Sequence, residues 1–152
     1  ILESNALCGT FIWPSLNLPK IRKHRESDKG GMAHAAELET SVYLHLAPER
    51  VQMDKAVKDI NMPESEFIWM DLLAGSPVRC MDEWTRFSKS GVYGDATIAT
   101  ADKGEKFFEA AVDHLVKLVR EFKNRPRGER TDYHKEPWDK YFKLLKETGK
   151  PE

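Results

Sequence analysis

Residues 30–41 read GGMAHAAELETS. Two glycines run into His34, and Glu37 and Glu39 follow within five residues. Leu38, Val42 and Leu46 then recur every four residues, with Leu44 beside them, which is the spacing of a helix that turns one side to a core. Pro48 closes it, because the residue before a proline disfavours the α region. The spacing predicts a helix that begins near His34 or Ala35. From that start His34 and Glu37 stand three apart on the first turn and face the same way, while Glu39 points elsewhere. Two readings stay open. Acidic residues in a first turn complement the helix dipole and need no further role. A histidine and a glutamate that meet at a helix start, behind a flexible Gly-Gly approach, also suit a metal ligand and a proton shuttle. Glu39, Thr40 and Ser41 weigh toward a task. They lie in a run flanked by Leu38, Val42 and Leu44, and a polar group buried without a partner costs about 1–3 kcal/mol.

On the N-terminal side, residues 6–13 (ALCGTFI and then Trp13) are apolar and β-prone and predict a strand or strand end. Pro14, Pro19 and the basic run from Lys20 to Arg25 predict a loop that Gly30 and Gly31 extend. On the C-terminal side, Phe67 to Met70 and the surroundings of Val78 predict short strands, and SKSGVYGDAT (88–97) predicts a loop. The plainest element is a long helix from about Ala101 to Lys123. Phe108, Val112, Leu115, Val119 and Phe122 follow the helical spacing, and Phe107, Ala111 and Leu118 widen the stripe. Thr100 suits the N-cap, and Asp102 and Glu105 lie near the positive helix end. Lys117, Arg120 and Lys123 lie toward the other end, and Pro126 stops it. The polar stretch 125–152 carries Trp138, Tyr141, Phe142 and Leu145 at the spacing of an amphipathic helix.

The 152 residues suffice for one domain with a real core. Twenty-four basic and 25 acidic side chains leave a formal charge of −1, so no electrostatic ground exists for a nucleic-acid or anionic-membrane partner. Cys8 and Cys80 stand far apart, as in a reduced, cytoplasmic protein. No apolar run reaches the ~20 residues that would span a bilayer, and no signal-peptide pattern opens the chain. The first residue is Ile, which reads as processing or as a piece of something longer. Lys103 and Gly104 sit in no G-x-x-x-x-G-K frame. Trp13, Trp69 and Trp84 are either packing residues or walls of a pocket. His24, His45, His114 and His134 have no ligand partner at a telling spacing.

GGMAHAAELETS, with LHLAPERV (44–51) behind it, resembles the creatininase family of metal-dependent amidohydrolases, whose members carry G-H-A-G-E-x-E-T-S and then a helix ending in x-L-x-P-x-x-V. GVYGDATIATADKGEKFFEAAV (91–112) is similar to the family's G-V-x-G-D-P-x-x-A-x-x-x-K-G. FIWPSLNLPKIRKHRES (11–27) looks like its approach loop, so the resemblance covers about residues 7 to 123. It implies an α/β fold, a three-layer α/β/α sandwich with a mainly parallel sheet, incomplete here at the N-terminus, with 1–124 as the C-terminal portion of the domain and 125–152 as an extension. It implies a homo-oligomer, a hexamer in the family, that acts on a small amide substrate. Two divalent metals (zinc, manganese or iron) would activate a water that attacks a non-peptide, cyclic amide carbon. By position, Glu37 would be the metal ligand and His34 the catalytic proton shuttle or substrate contact. Glu39 would be a buried carboxylate that holds the loop, and Asp95 would shape the GDAT turn. Ala36 and Ala96 replace a family glycine and proline. The family's E-x-H-G-x-H and N-G-H-G-G-N stretches, which bear most ligands, do not occur. A truncated frame, a chain split from its partner, and a degenerate, non-catalytic scaffolding subunit are the three readings of that absence.

Overall fold

The structure, a computed structural model, describes residues 7–80, 82–128, 143 and 147. It divides into two compact units, Ile1–Phe122 and Lys123–Glu152. The helix expected around Trp138 to Leu145 lies outside the described residues.

Where a strand was expected near residue 13, the chain makes one turn of 3-10 helix, Trp13–Asn17. Pro14 sits in its first turn, where its fixed φ and missing N–H suit a helix start and would interrupt a sheet ladder. The expected loop beyond it is instead a short helix, α1, Leu18–Lys23, with Pro19 in its first turn. Lys20, Arg22 and Lys23 lie in its last turn, where the helix dipole favours cations. The basic run is thus the end of a helix and not a sign of a loop.

The chain then forms β1, Met32–His34, and α2, Glu37–Leu46. The helix starts two residues later than the spacing suggested, because Ala35 takes φ = 48° and turns the chain between the two elements. β2 is the dipeptide Lys58–Asp59, and β3, Tyr93–Asp95, lies within the stretch expected to be a loop. Gly94 explains the misreading. Its φ of +130° and an approach to the Gly31 carbonyl that would put a Cβ 2.5 Å from the oxygen both require glycine. The residue that reads as a loop is what lets two strands close up.

The sheet runs in the order β1-β3-β2, and both pairings are antiparallel. The mainly parallel sheet implied by the resemblance is therefore not what the described strands form; outside them, the isolated bridge Ile68↔Val78 is parallel. β1 and β2 do run the same way, joined through α2, with β3 inserted between them. The arrangement is α/β. It is a β-α-β connection whose two strands each meet the opposed strand β3 in place of each other.

The long helix α3 spans Ala101–Asn124, close to its expected bounds. The Lys103 N–H donates to Thr100 Oγ1 at 3.2 Å, the bond of an N-cap. Its buried residues are Lys103, Gly104, Phe107 and Ala110. That face is rotated from the apolar stripe read in the sequence, so Leu115, Val119 and Phe122 stay partly exposed. Ile21, Met32, Leu38, Leu73, Phe107 and Ala110 form the core, with Trp13, Leu18, Val42 and Leu72 against it. Each large apolar side chain buried there contributes about 1.5–3 kcal/mol. No helix among the described residues is long and apolar enough to cross a membrane.

Candidate functional site

β1 is an edge strand and ends at His34, so the ring leaves the sheet exposed at its margin. It meets the edge of Trp84 with ring centres 5.1 Å apart at 79°. Trp84 leans in turn on the buried ring of Tyr93, at 5.9 Å. The indole is fixed by its Nε1–H, which donates to the Gly91 carbonyl at 3.2 Å. The loop that supplies this carbonyl is gathered by the buried Asp59. Its Oδ2 accepts from the Ser88 and Ser90 hydroxyls and from the Lys89 and Ser90 N–H groups. The Ser90 hydroxyl chiefly, opposed by burial and helped by the other donors, holds the Asp59 carboxyl below its usual range. Burial pushes the Tyr93 phenol above its ordinary value.

His34 and Trp84 share a cleft of about 460 Å³ with Met62, Trp69, Arg79 and Cys80. Trp69 is held by its Nε1–H on the Ala74 carbonyl at 2.6 Å, with the Lys29 ammonium 4.2 Å from its ring centre. The far wall is tied by Asp71, which pairs with Arg25 at 2.6 Å and accepts from the N–H groups of Gly30, Leu73 and Ala74. On its other side His34 borders a shallower groove of about 370 Å³ together with Glu39 and Arg50.

The turn between β1 and α2 separates the two residues expected to converge. His34 faces outward, whereas Glu37 is fully buried. Glu37 Oε1 accepts from the Glu26 N–H at 2.9 Å and from Lys103 Nζ at 2.9 Å, and Oε2 accepts from the Ser27 N–H at 3.0 Å. Lys103 also reaches Glu26 at 3.2 Å. Burial raises the Glu37 pKa, but the donors of Ser27, Lys103 and Glu26 together outweigh it and lower the value. Glu39 accepts from the Ala35 N–H, and the Thr40 hydroxyl donates to the Ala35 carbonyl at 3.1 Å, so both close the turn under His34. Asp95, buried in β3, accepts from the Thr97 N–H at 3.0 Å and from its hydroxyl, and stands 3.6 Å from Lys58. The structure thus brings His34 and Glu39 to one groove and places Glu37 and Asp95 elsewhere.

Lys103 is the participant that the sequence reading passed over. Its signal was a lysine in helical register with Phe107 and Ala110 on the buried side of α3, where a charge needs a partner. His114 and His45 take packing roles: Asn17 Nδ2 lies 2.9 Å from His114 Nδ1, and His45 packs on Phe108. Among the described residues no three His, Cys, Asp or Glu side chains come together in a group able to hold a metal ion. With the Glu37 oxygens already taken, these residues do not by themselves fit the dimetal site that the resemblance implies.

Comparison with known proteins agrees with the motifs. The family model for creatininase, described as creatinine amidohydrolase, matches residues 4–119. A mycofactocin precursor peptide peptidase of Mycobacterium ulcerans is 34% identical over 99 residues, covering 65% of this chain and 36% of that protein. A 3-dehydro-scyllo-inosose hydrolase of Thermotoga maritima is 31% identical over 126 residues, covering 70% of this chain and 39% of that protein. The chain therefore spans a little over a third of the length of these relatives. The crystal structure of a putative creatinine amidohydrolase from Bacteroides fragilis superposes with a TM-score of 0.56 at 24% identity, over 77% of this chain and 43% of that one, a likeness of fold. Over its matched residues, this chain belongs to the creatininase family.

Proposed function

We propose that the chain forms the substrate side of a creatininase-type, metal-dependent hydrolase of a C–N bond in a small cyclic amide, and that it supplies only part of the reacting centre. The observation that carries this reading is His34, the histidine of the family motif, exposed on an edge strand at the junction of two clefts and backed by a fixed indole. An imidazole can hand a proton to a leaving nitrogen or take one from water. Its contact with Trp84 fixes the ring plane, and Glu39 and Thr40 fix the backbone that carries it. Bound divalent cations would polarise the amide and acidify a water. Zinc, manganese or iron would fill that role, with ligands supplied mainly from outside this chain.

The ligand role that the resemblance implies for Glu37 is the one its surroundings favour least. A cation there would have to displace the Lys103 ammonium and two N–H donors. We assign Glu37 instead to anchoring the 26–27 loop against α3. Asp95 keeps the shaping role for the turn that follows β3. The relatives are named a mycofactocin precursor peptide peptidase and a 3-dehydro-scyllo-inosose hydrolase, so membership of the family does not by itself fix the class of bond. A homo-oligomer in the cytoplasm completes the reading.

The test is a chimera in which this chain replaces the matching stretch of the Thermotoga maritima relative, loaded with zinc or manganese. His34→Ala should lower kcat by about 10²- to 10⁴-fold, the usual worth of a general acid or base, with metal content unchanged. A folded, metal-loaded His34→Ala chimera that turns over at the parent rate would remove His34 from the chemistry.

A further inference from the structure

We propose that the His34–Trp84 cleft takes a ligand with a carboxylate beside an aromatic or apolar body, and that Arg79 recognises the anionic end. The inference rests on the reading of this cleft as the substrate side.

The charges around the cleft carry the argument. Asp71 borders it, but its side chain is fully buried and both oxygens are taken, by Arg25 and by three backbone N–H groups. It therefore offers a ligand no free negative charge. Beyond the rim, Asp82 and Glu83 lie against Arg86, at 3.4 and 3.8 Å. Glu64 and Glu66 line the neighbouring groove with Lys29 and not this cleft. Arg79 lines the cleft and is exposed, and among the described residues its guanidinium has no hydrogen bond or ion pair. Among the described residues it is the cleft's one permanent charge without a partner, and it is positive.

Much of the remaining wall is apolar, with His34, Ser76 and Cys80 among it. Met62, Ile68, Trp69, Met70 and Trp84 contribute most of it, and both indoles are held by their own N–H bonds. A volume of about 460 Å³ suits a body the size of an aromatic amino acid or a short peptide end. Arginine's planar fork matches a carboxylate in a way that a neutral amide cannot reproduce. His34 borders the same space and can donate an N–H to the ligand.

Binding of N-acetyltyrosine and of N-acetyltyrosinamide to the full chain at pH 7, followed by ligand-observed NMR titration, separates the outcomes. The acid should bind about tenfold more tightly than the amide, as a charge-assisted hydrogen bond at a partly exposed site allows. Arg79→Gln should abolish the difference, Arg79→Lys should keep part of it, and Trp84→Ala should weaken both ligands alike. Equal affinities, or a preference that survives Arg79→Gln, overturn the role of Arg79 and leave the cleft as substrate side intact. Binding of neither ligand to the unaltered chain overturns both.

Discussion

Ala35 carries the turn that aims His34. Its φ of 48° lies in the left-handed region, where an L-residue with a Cβ pays about 1–2 kcal/mol. The turn persists because its two backbone groups are both held, the N–H by Glu39 and the carbonyl by the Thr40 hydroxyl. Glycine adopts this conformation without the penalty but gains freedom in the unfolded chain, so Ala35→Gly should stabilise the protein by up to about 1 kcal/mol in urea unfolding. A loss of stability would mean that the left-handed turn is not the native one. The same residue explains why the candidate site was only half legible. Three-residue spacing put His34 and Glu37 on one helical face, and that inference needs an unbroken helix through Ala35. No glycine or asparagine marks the break. The types His, Glu and Glu were readable, whereas their directions were set by a single dihedral that alanine does not advertise.

At the level of elements, α2 and α3 cross where Gly104 meets Ser41. A Cβ on Gly104 would stand 1.8 Å from the Ser41 carbonyl oxygen, so the two backbones touch only because the side chain is absent. The Ser41 hydroxyl accepts from the Thr100 N–H at 3.2 Å, which ties the start of α3 to the same spot. Gly104→Ala must push the helices apart and should cost about 1–3 kcal/mol, despite alanine's better helix propensity. Thermal unfolding that is unchanged or improved would show that the crossing is looser than this. α3 was legible because twenty-odd residues of periodicity, a Thr cap and a following proline all agree. α1 was not, since six residues with Pro19 in second place and three basic side chains carry the composition of a loop. β2 and β3 were not, since strands of two or three residues offer no alternation to detect. Their positions are set by the far-apart pairings Met32↔Gly94 and Asp59↔Gly94, which local pattern cannot encode.

Over the whole first unit, one buried ion pair connects three segments distant in sequence. Lys103 on α3, Glu37 on α2 and the backbone of Glu26 and Ser27 meet where both charged side chains are nearly sealed from water. Such a pair contributes little relative to an apolar replacement, but removal of one partner leaves a naked charge and costs about 3–5 kcal/mol. Lys103→Met should therefore destabilise the chain by about 3 kcal/mol at pH 7. The sign of the pH dependence follows from Glu37. Folding lowers its pKa from an ordinary value of 4.5, so between the two values the folded chain binds fewer protons than the unfolded one. Its contribution is complete above about pH 4.5 and is lost as the pH falls through the folded-state value. Asp59, lowered in the same direction by Ser90 and its neighbours, adds to the loss. In Lys103→Met the carboxylate keeps the Glu26 and Ser27 donors but loses the ammonium, so burial weighs more heavily against the charge and protonation relieves part of the defect. The penalty should shrink as the pH is lowered from 7 to 3, measured by urea unfolding of both proteins at each pH. An equal penalty at the two values would mean that Lys103 supports the fold through its aliphatic stem and not through the Glu37 charge.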